Sequence, residues 1–139
     1  MALPKMIVLC VDDDGSGLAA RKELLEASGY EVITAQNGRE GLELFDSHHI
    51  DAVILDYQMH KMNGAQVASQ MRRVKPDVPI LMLSGWAKLP PEELSCVDEF
   101  LCKGQPWSTV LSSLDRLLSS RPTFFVRWLH EWQERAEND

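Results

Sequence analysis

A parallel α/β sheet covered by crossover helices is the fold class this chain predicts, and three observations carry the prediction. Short β-rich runs alternate with longer helical stretches along the whole sequence. The central run "DAVILD" is apolar through its middle, as a strand buried on both faces must be. The chain has 139 residues, 45% of them hydrophobic and 25% charged, which suits one compact core and argues against wholesale disorder.

The elements follow in order. "MIVLCV" (6–11) is the first strand, and Ser16 is placed to cap a helix running to about residue 28, with Gly29 as its stop. "YEVITA" (30–35) is the second strand, after which Asn37 caps the helix "GREGLELFDSH". His48 and His49 close that helix, where a cation favours the dipole, and read as structural. "DAVILD" (51–56) is the third strand, and "GAQVASQMRRV" (64–74) a helix closed by Pro76. "VPILMLSG" (78–85) is the fourth strand. The stretch "WAKLPPEELSCV" has room for a turn or two of helix, starting at Pro90 or Pro91. "DEFLCK" (98–103) is the fifth strand and "PWSTVLSSLDRLLSS" (106–120) the last helix of this unit.

The end of the chain differs in character. Phe124, Phe125, Trp128, Leu129 and Trp132 share one helical face, with Arg127, Glu131, Glu134 and Arg135 opposite. Residues 1–120 are therefore expected to form one domain and 121–139 an extra amphipathic helix and tail. Its apolar face would be covered by its own domain, by a second copy in a homodimer, or by a partner.

Composition narrows the function. A formal net charge of −7 without a long basic run argues against direct nucleic-acid binding, which needs clustered Lys and Arg. No apolar run is long enough to span a bilayer, and "MALPKMIVLCV" lacks a charged leader and a cleavage site. It reads as the first strand of a cytoplasmic protein without membrane contact. Cys10, Cys96 and Cys102 form no CxxC pair, and the expectation is buried, reduced thiols.

The chemistry gathers where the strands end. Asp12, Asp13 and Asp14 follow the first strand directly, and acids this close repel unless they splay into water or a cation sits among them. In a parallel sheet, ligands collect beyond the carboxyl ends of strands. Reading off those ends adds Asp56 after the third strand, Ser84 at the fourth and Lys103 at the fifth. Carboxylates suit Mg²⁺, Lys103 supplies a compact point charge, Ser84 a hydroxyl donor, and Asp56 a carboxylate nucleophile. Together they support phosphoryl transfer to a carboxylate, with the added charge neutralised by metal and lysine.

These residues in this order resemble the receiver domain of two-component response regulators, through "VDDD", "LDYQMHKMNG", "LMLSG" and "FLCKG" over roughly residues 5–120. The resemblance implies a doubly wound (βα)₅ domain with the flavodoxin-like strand order 2-1-3-4-5, here with the extra C-terminal helix. It implies Asp56 as phosphoacceptor, and Mg²⁺ held by Asp12, Asp13, Asp56 and the backbone carbonyl of Gln58. Asp13 would bind the metal directly, Asp12 largely through water, and Asp14 would be a solvated neighbour. It further implies a switch in which Ser84 is drawn to the phosphate and Phe100 swings inward, although Phe100 equally fits a core position. Gln58 and Trp86 would tune the attack of water on the acyl phosphate, with the indole either shielding that path or packing over the short fourth helix. The phosphodonor would be a histidine kinase or phosphotransfer protein.

Two positions depart from that pattern. His60 stands where the family has proline, which leaves the loop freer, and its side chain is expected to be exposed. Gly104 replaces the proline after Lys103, so the turn is expected to use glycine's permissive backbone. The clipped fourth helix also puts the family's usual output face in question.

Three rival readings compete with this one. Asp12-x-Asp14-x-Ser16 looks like the nucleophile motif of haloacid-dehalogenase-type phosphatases, but a second acidic motif is missing and Asp56 goes unexplained. A flavodoxin-like cofactor binder fails because three aspartates repel a flavin phosphate. A receiver fold acting only as an interaction module, through the aromatic C-terminal helix, stays open. The expectation is a non-enzymatic, stand-alone phosphoacceptor that signals through a downstream protein partner, since the length leaves no space for a DNA-binding output domain.

Overall fold

The structure, a computed structural model, describes residues 4–120 together with 136 and 137. The aromatic stretch from Phe124 to Trp132, on which the C-terminal helix was expected, lies outside the described residues.

Five strands, β1 (Ile7–Val11), β2 (Glu31–Ala35), β3 (Ala52–Asp56), β4 (Ile80–Ser84) and β5 (Glu99–Cys102), form one parallel sheet. Their order is β2-β1-β3-β4-β5. The helices are α1 (Gly15–Ala27), α2 (Gly38–Ser47), α3 (Gly64–Val74) and α4 (Trp107–Ser119). Between β4 and β5 the crossover holds a single 3₁₀ turn, Pro91–Leu94, as the two prolines and the short segment foretold. The predicted fold and order therefore stand, with four α-helices among the described residues.

Side-chain alternation along the strands builds two cores. Val8 and Cys10 of β1 pack with Leu18 and Leu25 of α1 and Leu114 of α4. Leu9 and Val11, one residue out of phase, pack with Phe45 of α2 and with Val67 and Met71 of α3. All five residues of β3 are buried, because it is the middle strand and is covered on both faces. The edge strand β5 is only half-buried throughout.

Register sets the functional rim. Val11 pairs with Leu55, Asp56 with Leu83, and Ser84 with Cys102. Asp12, Asp56, Ser84 and Lys103 thus arrive at one end of the sheet through the hydrogen-bond ladder alone.

Local signals were mostly legible. The Asn37 side chain accepts the Glu40 N–H at 2.8 Å, and Asn63 with Gln66 forms a capping box at α3. Gly29 ends α1 with φ +97°, a left-handed position that favours glycine. Three expectations need correction. The N-cap of α1 is Asp14, not Ser16, whose hydroxyl donates to Asp14 Oδ1 at 2.9 Å from inside the first turn. Gly104 does not use a left-handed φ: Gln105 N–H closes the turn on the Cys102 carbonyl at 3.1 Å, and all peptide bonds among the described residues are trans. Of the three free thiols only Cys10 is buried, and burial pushes it up to about 12. Cys96 and Cys102 are half-buried, Cys102 because β5 is an incompletely covered edge. Among the described residues no helix is long and apolar enough to cross a membrane.

Candidate functional site

Four of the five strands, β1, β3, β4 and β5, hand one polar group each to the rim where their apolar ladders end. Asp12 follows β1 and is 1% exposed, and Asp56 closes β3 at 2%. Carboxylates this dry need a cation or several donors. Asp12 has both: Oδ1 accepts the Asp14 N–H at 3.0 Å, and Oδ2 lies 3.4 Å from Lys103 Nζ and 3.1 Å from Arg21 Nη1. Asp56 has less. Its Oδ1 is 2.9 Å from Lys103 Nζ, yet this buried atom accepts no well-directed hydrogen bond, so the contact is an ion pair made by charge and not by alignment.

Charge follows from that geometry. Burial, first of all, and then the Asp12 carboxylate push Asp56 up to about 6, while Lys103 pulls the other way. Lys103 is held above its ordinary range: burial works against its charge, but Asp56 and Asp12 outweigh burial. Asp13 is exposed, and its Oδ2 accepts the His60 N–H at 3.1 Å. The His60 side chain is exposed as expected, but the backbone donor that this non-proline residue retains was not foreseen. Asp14 is exposed and is held below its ordinary range by the Ser16 hydroxyl.

The loop after Asp56 is pinned close. A Cβ on Gly64 would lie 2.6 Å from the Asp56 carbonyl oxygen, so only glycine lets α3 start this near the end of β3. Gly64 N–H then bonds the Tyr57 carbonyl at 2.8 Å. Gln58 reaches across the mouth, its Oε1 accepting the Gly85 N–H at 3.1 Å. Ser84 is fully buried, and its hydroxyl accepts the Trp86 N–H at 3.0 Å. Trp86 is 55% exposed and tilts against Tyr57, ring centroids 5.9 Å apart, while Tyr57 donates to Glu93 in the 3₁₀ turn. The indole therefore reaches the short crossover through Tyr57. Phe100 is half-buried on β5, opposite Met82.

One oxygen from each of Asp12, Asp13 and Asp56 lies within 4.8 Å of the others. Three carboxylates at this separation, one with a buried oxygen that accepts no hydrogen bond, fit a hard divalent cation that takes oxygen ligands. Asp14 stays outside that group. The residue that sequence reading missed is Arg21. The signal was available: Leu18, Arg21 and Leu25 share one face of α1, so a charge stood in an apolar stripe.

Comparison with known proteins fits this geometry. The family model described as "Response regulator receiver domain" matches residues 8–96. The chain is 31% identical over 125 residues to the transcriptional regulatory protein GlrR of Escherichia coli (strain K12), covering 87% of this chain and 28% of that protein. It spans about a third of the length of the curated relatives it matches. Among solved structures it is similar to the response regulator TrrA from Thermotoga maritima in complex with Mg²⁺ and BeF, with 32% identity and a TM-score of 0.78 over 81% of this chain and 99% of that one. TrrA in complex with the histidine kinase ThkA also matches, with 32% identity and a TM-score of 0.76 over 81% and 98% of the two chains.

Proposed function

The chain belongs to the response regulator receiver domain family, and from that membership we propose that Asp56 is its phosphoacceptor, taking a phosphoryl group from a phosphohistidine. The chain is thus a module of two-component, phosphorylation-based signalling. The observation that carries the assignment to Asp56 is its setting: a buried carboxylate whose Oδ1 is ion-paired with a lysine at 2.9 Å but accepts no hydrogen bond, among two further acids.

The residues account for the chemistry in order. With Asp56 pushed up only to about 6, the carboxylate is mostly ionised near neutral pH and is a competent nucleophile. Its oxygen attacks phosphorus as the bond to the imidazole nitrogen breaks, and the imidazole keeps the electron pair and takes a proton. The Lys103 ammonium already sits where negative charge grows. The Ser84 hydroxyl accepts from Trp86, which leaves its own proton to donate to a phosphate oxygen. Asp13, Asp56 and the Gln58 carbonyl would hold Mg²⁺ directly, and Asp12 would act through water, because both of its oxygens already have partners. When bound, that ion would neutralise the incoming phosphoryl group. Gln58 and Trp86 flank the acceptor and are assigned the tuning of water access, and Ser84 and Phe100 the switch.

The donor is proposed to be a histidine kinase or phosphotransfer protein, by likeness to TrrA, whose structure was solved with the kinase ThkA. Output would pass to a downstream protein. The net charge of −7 disfavours direct contact with nucleic acid.

Incubation with a small phosphodonor, with and without Mg²⁺, followed by intact-mass measurement, tests this reading. One phosphoryl adduct is expected with Mg²⁺, and none in Asp56→Asn. An adduct that persists in Asp56→Asn, or catalytic phosphate release that depends on Asp12, overturns it.

A further inference from the structure

Arg21 lies between the buried residues Leu18 and Leu25 on the inward face of α1. A guanidinium in such a place is unfavourable unless it is paired. Its side chain is 12% exposed, and its partner is Asp12 Oδ2 at 3.1 Å, an oxygen that Lys103 also approaches at 3.4 Å. The rim therefore holds two resident cations against the three clustered carboxylates. Lys103 bridges Asp12 and Asp56, whereas Arg21 serves Asp12.

We propose that Arg21 is a resident counter-ion to Asp12, a positioning residue that supplies part of the cation's role in the metal-free protein and thereby weakens the hold on the divalent ion. The inference rests on reading Asp12, Asp13 and Asp56 as the metal cage. With Arg21 in place, an entering ion meets three carboxylates already offset by two positive charges. Without Arg21 it meets the same acids offset by Lys103 alone. Arginine suits this role because it keeps its charge when buried and holds a carboxylate through a planar fork. A cavity of about 310 Å³ opens beside it between α1 and α4, bordered by Arg21, Leu24, Lys103 and Trp107. The guanidinium thus has space to withdraw from Asp12 without disturbing the core.

A merely structural ion pair and a counter-ion differ in the sign of one effect. Removing a structural pair would loosen Asp12 and weaken metal binding, or leave it unchanged. Removing a counter-ion tightens it. Calorimetric titration of the full chain with Mg²⁺, at fixed ionic strength and without phosphodonor, reads that sign. Arg21→Gln, which keeps a donor but not the charge, is expected to bind Mg²⁺ about tenfold more tightly than the native chain. It should also melt at a lower temperature in EDTA, as the acids lose an offsetting charge. Arg21→Lys, which keeps the charge, should stay within about twofold of the native affinity. If Arg21→Gln does not fold, Arg21→Met keeps the apolar stem in the stripe and is titrated in its place. Unchanged or weaker Mg²⁺ binding in the uncharged variant, with the native chain binding normally, overturns the counter-ion and leaves the phosphoacceptor reading intact. No Mg²⁺ binding by any of these chains overturns both.

Discussion

The two ends of the sheet treat their acids in opposite ways. At the end where strands begin, Asp51 accepts the Ile7 N–H at 2.7 Å and pairs with His49 at 2.8 Å. Asp98 likewise accepts the Ile80 N–H at 2.7 Å and pairs with Arg72 at 2.8 Å. Each acid caps the first residue of a neighbouring strand. At the end where strands finish, Asp12 and Asp56 are drier still, crowd one another, and rely on Lys103 and Arg21. The difference follows from strand polarity. A parallel sheet presents free N–H groups where its strands start and free carbonyls where they stop. An acid at the starting end finds a backbone donor waiting. An acid at the finishing end faces carbonyl oxygens and must be matched by a cation, which makes it useful for chemistry and unfavourable for folding.

That contrast predicts mutations of opposite sign, and the largest effect lies at the starting end. Asp51→Ala leaves the Ile7 N–H without its acceptor and removes the partner of His49. A loss on the order of 2–4 kcal/mol in unfolding free energy is expected, while the folded variant still takes one phosphoryl group. Chemical unfolding and intact mass measure the two. Retained stability would mean that the starting-end acids are not structural at all.

At the finishing end, removing an acid should stabilise. The folded protein binds the Asp56 proton more tightly than the unfolded chain does, because burial first, and then Asp12, push it from 3.8 up to about 6. Between those values the native state holds a proton that the unfolded state has lost, so stability falls as pH rises through that window and stays lower above it. Asp56→Asn avoids the penalty. In EDTA at pH 7.5 it is expected to exceed the native chain by about 1–3 kcal/mol, with the gap closing toward pH 4. Thermal melts across pH test this, and a native chain that is the more stable of the two at neutral pH would erase the contrast between the ends.

How far the sequence revealed these two ends has a physical explanation. The finishing end was legible because its residues follow apolar runs directly: "VDDD" after the first strand, Asp56 closing the third and Lys103 closing the fifth need only strand assignment and the rule that ligands gather at carboxyl ends. Asn37 was legible as a cap for the same local reason. Asp51 and Asp98 were absorbed into their strands, because their partners are first residues of other strands, 44 and 18 positions away, which become visible only with the register. Arg21 went unnoticed, although the Leu18 and Leu25 spacing marked its face as inward. The Gly104 expectation treated the residue type as proof of a special backbone, whereas a turn between Cys102 and Gln105 needs no left-handed φ.

Trp86 separates stability from chemistry at the finishing end, and its effect on folding should be the smallest of the three. It is 55% exposed, and the ring contact described for it is the tilted one with Tyr57. An aromatic pair of this kind contributes about 0.5–1.5 kcal/mol beyond burial, and less where the ring is open to water. Trp86→Ala is therefore expected to lower stability by less than about 1 kcal/mol. Its backbone N–H, which bonds the Ser84 hydroxyl, survives the substitution, so that hydroxyl stays anchored. What the substitution removes is bulk at the mouth, two residues past Ser84 and against the residue that follows Asp56. If the indole screens the acyl phosphate from water, decay of the phosphorylated form should quicken several-fold in Trp86→Ala, and Trp86→Phe should fall between. Decay at the native rate in both variants would show that the indole covers Tyr57 and nothing more. The finishing end would then control its phosphate through the buried charges alone.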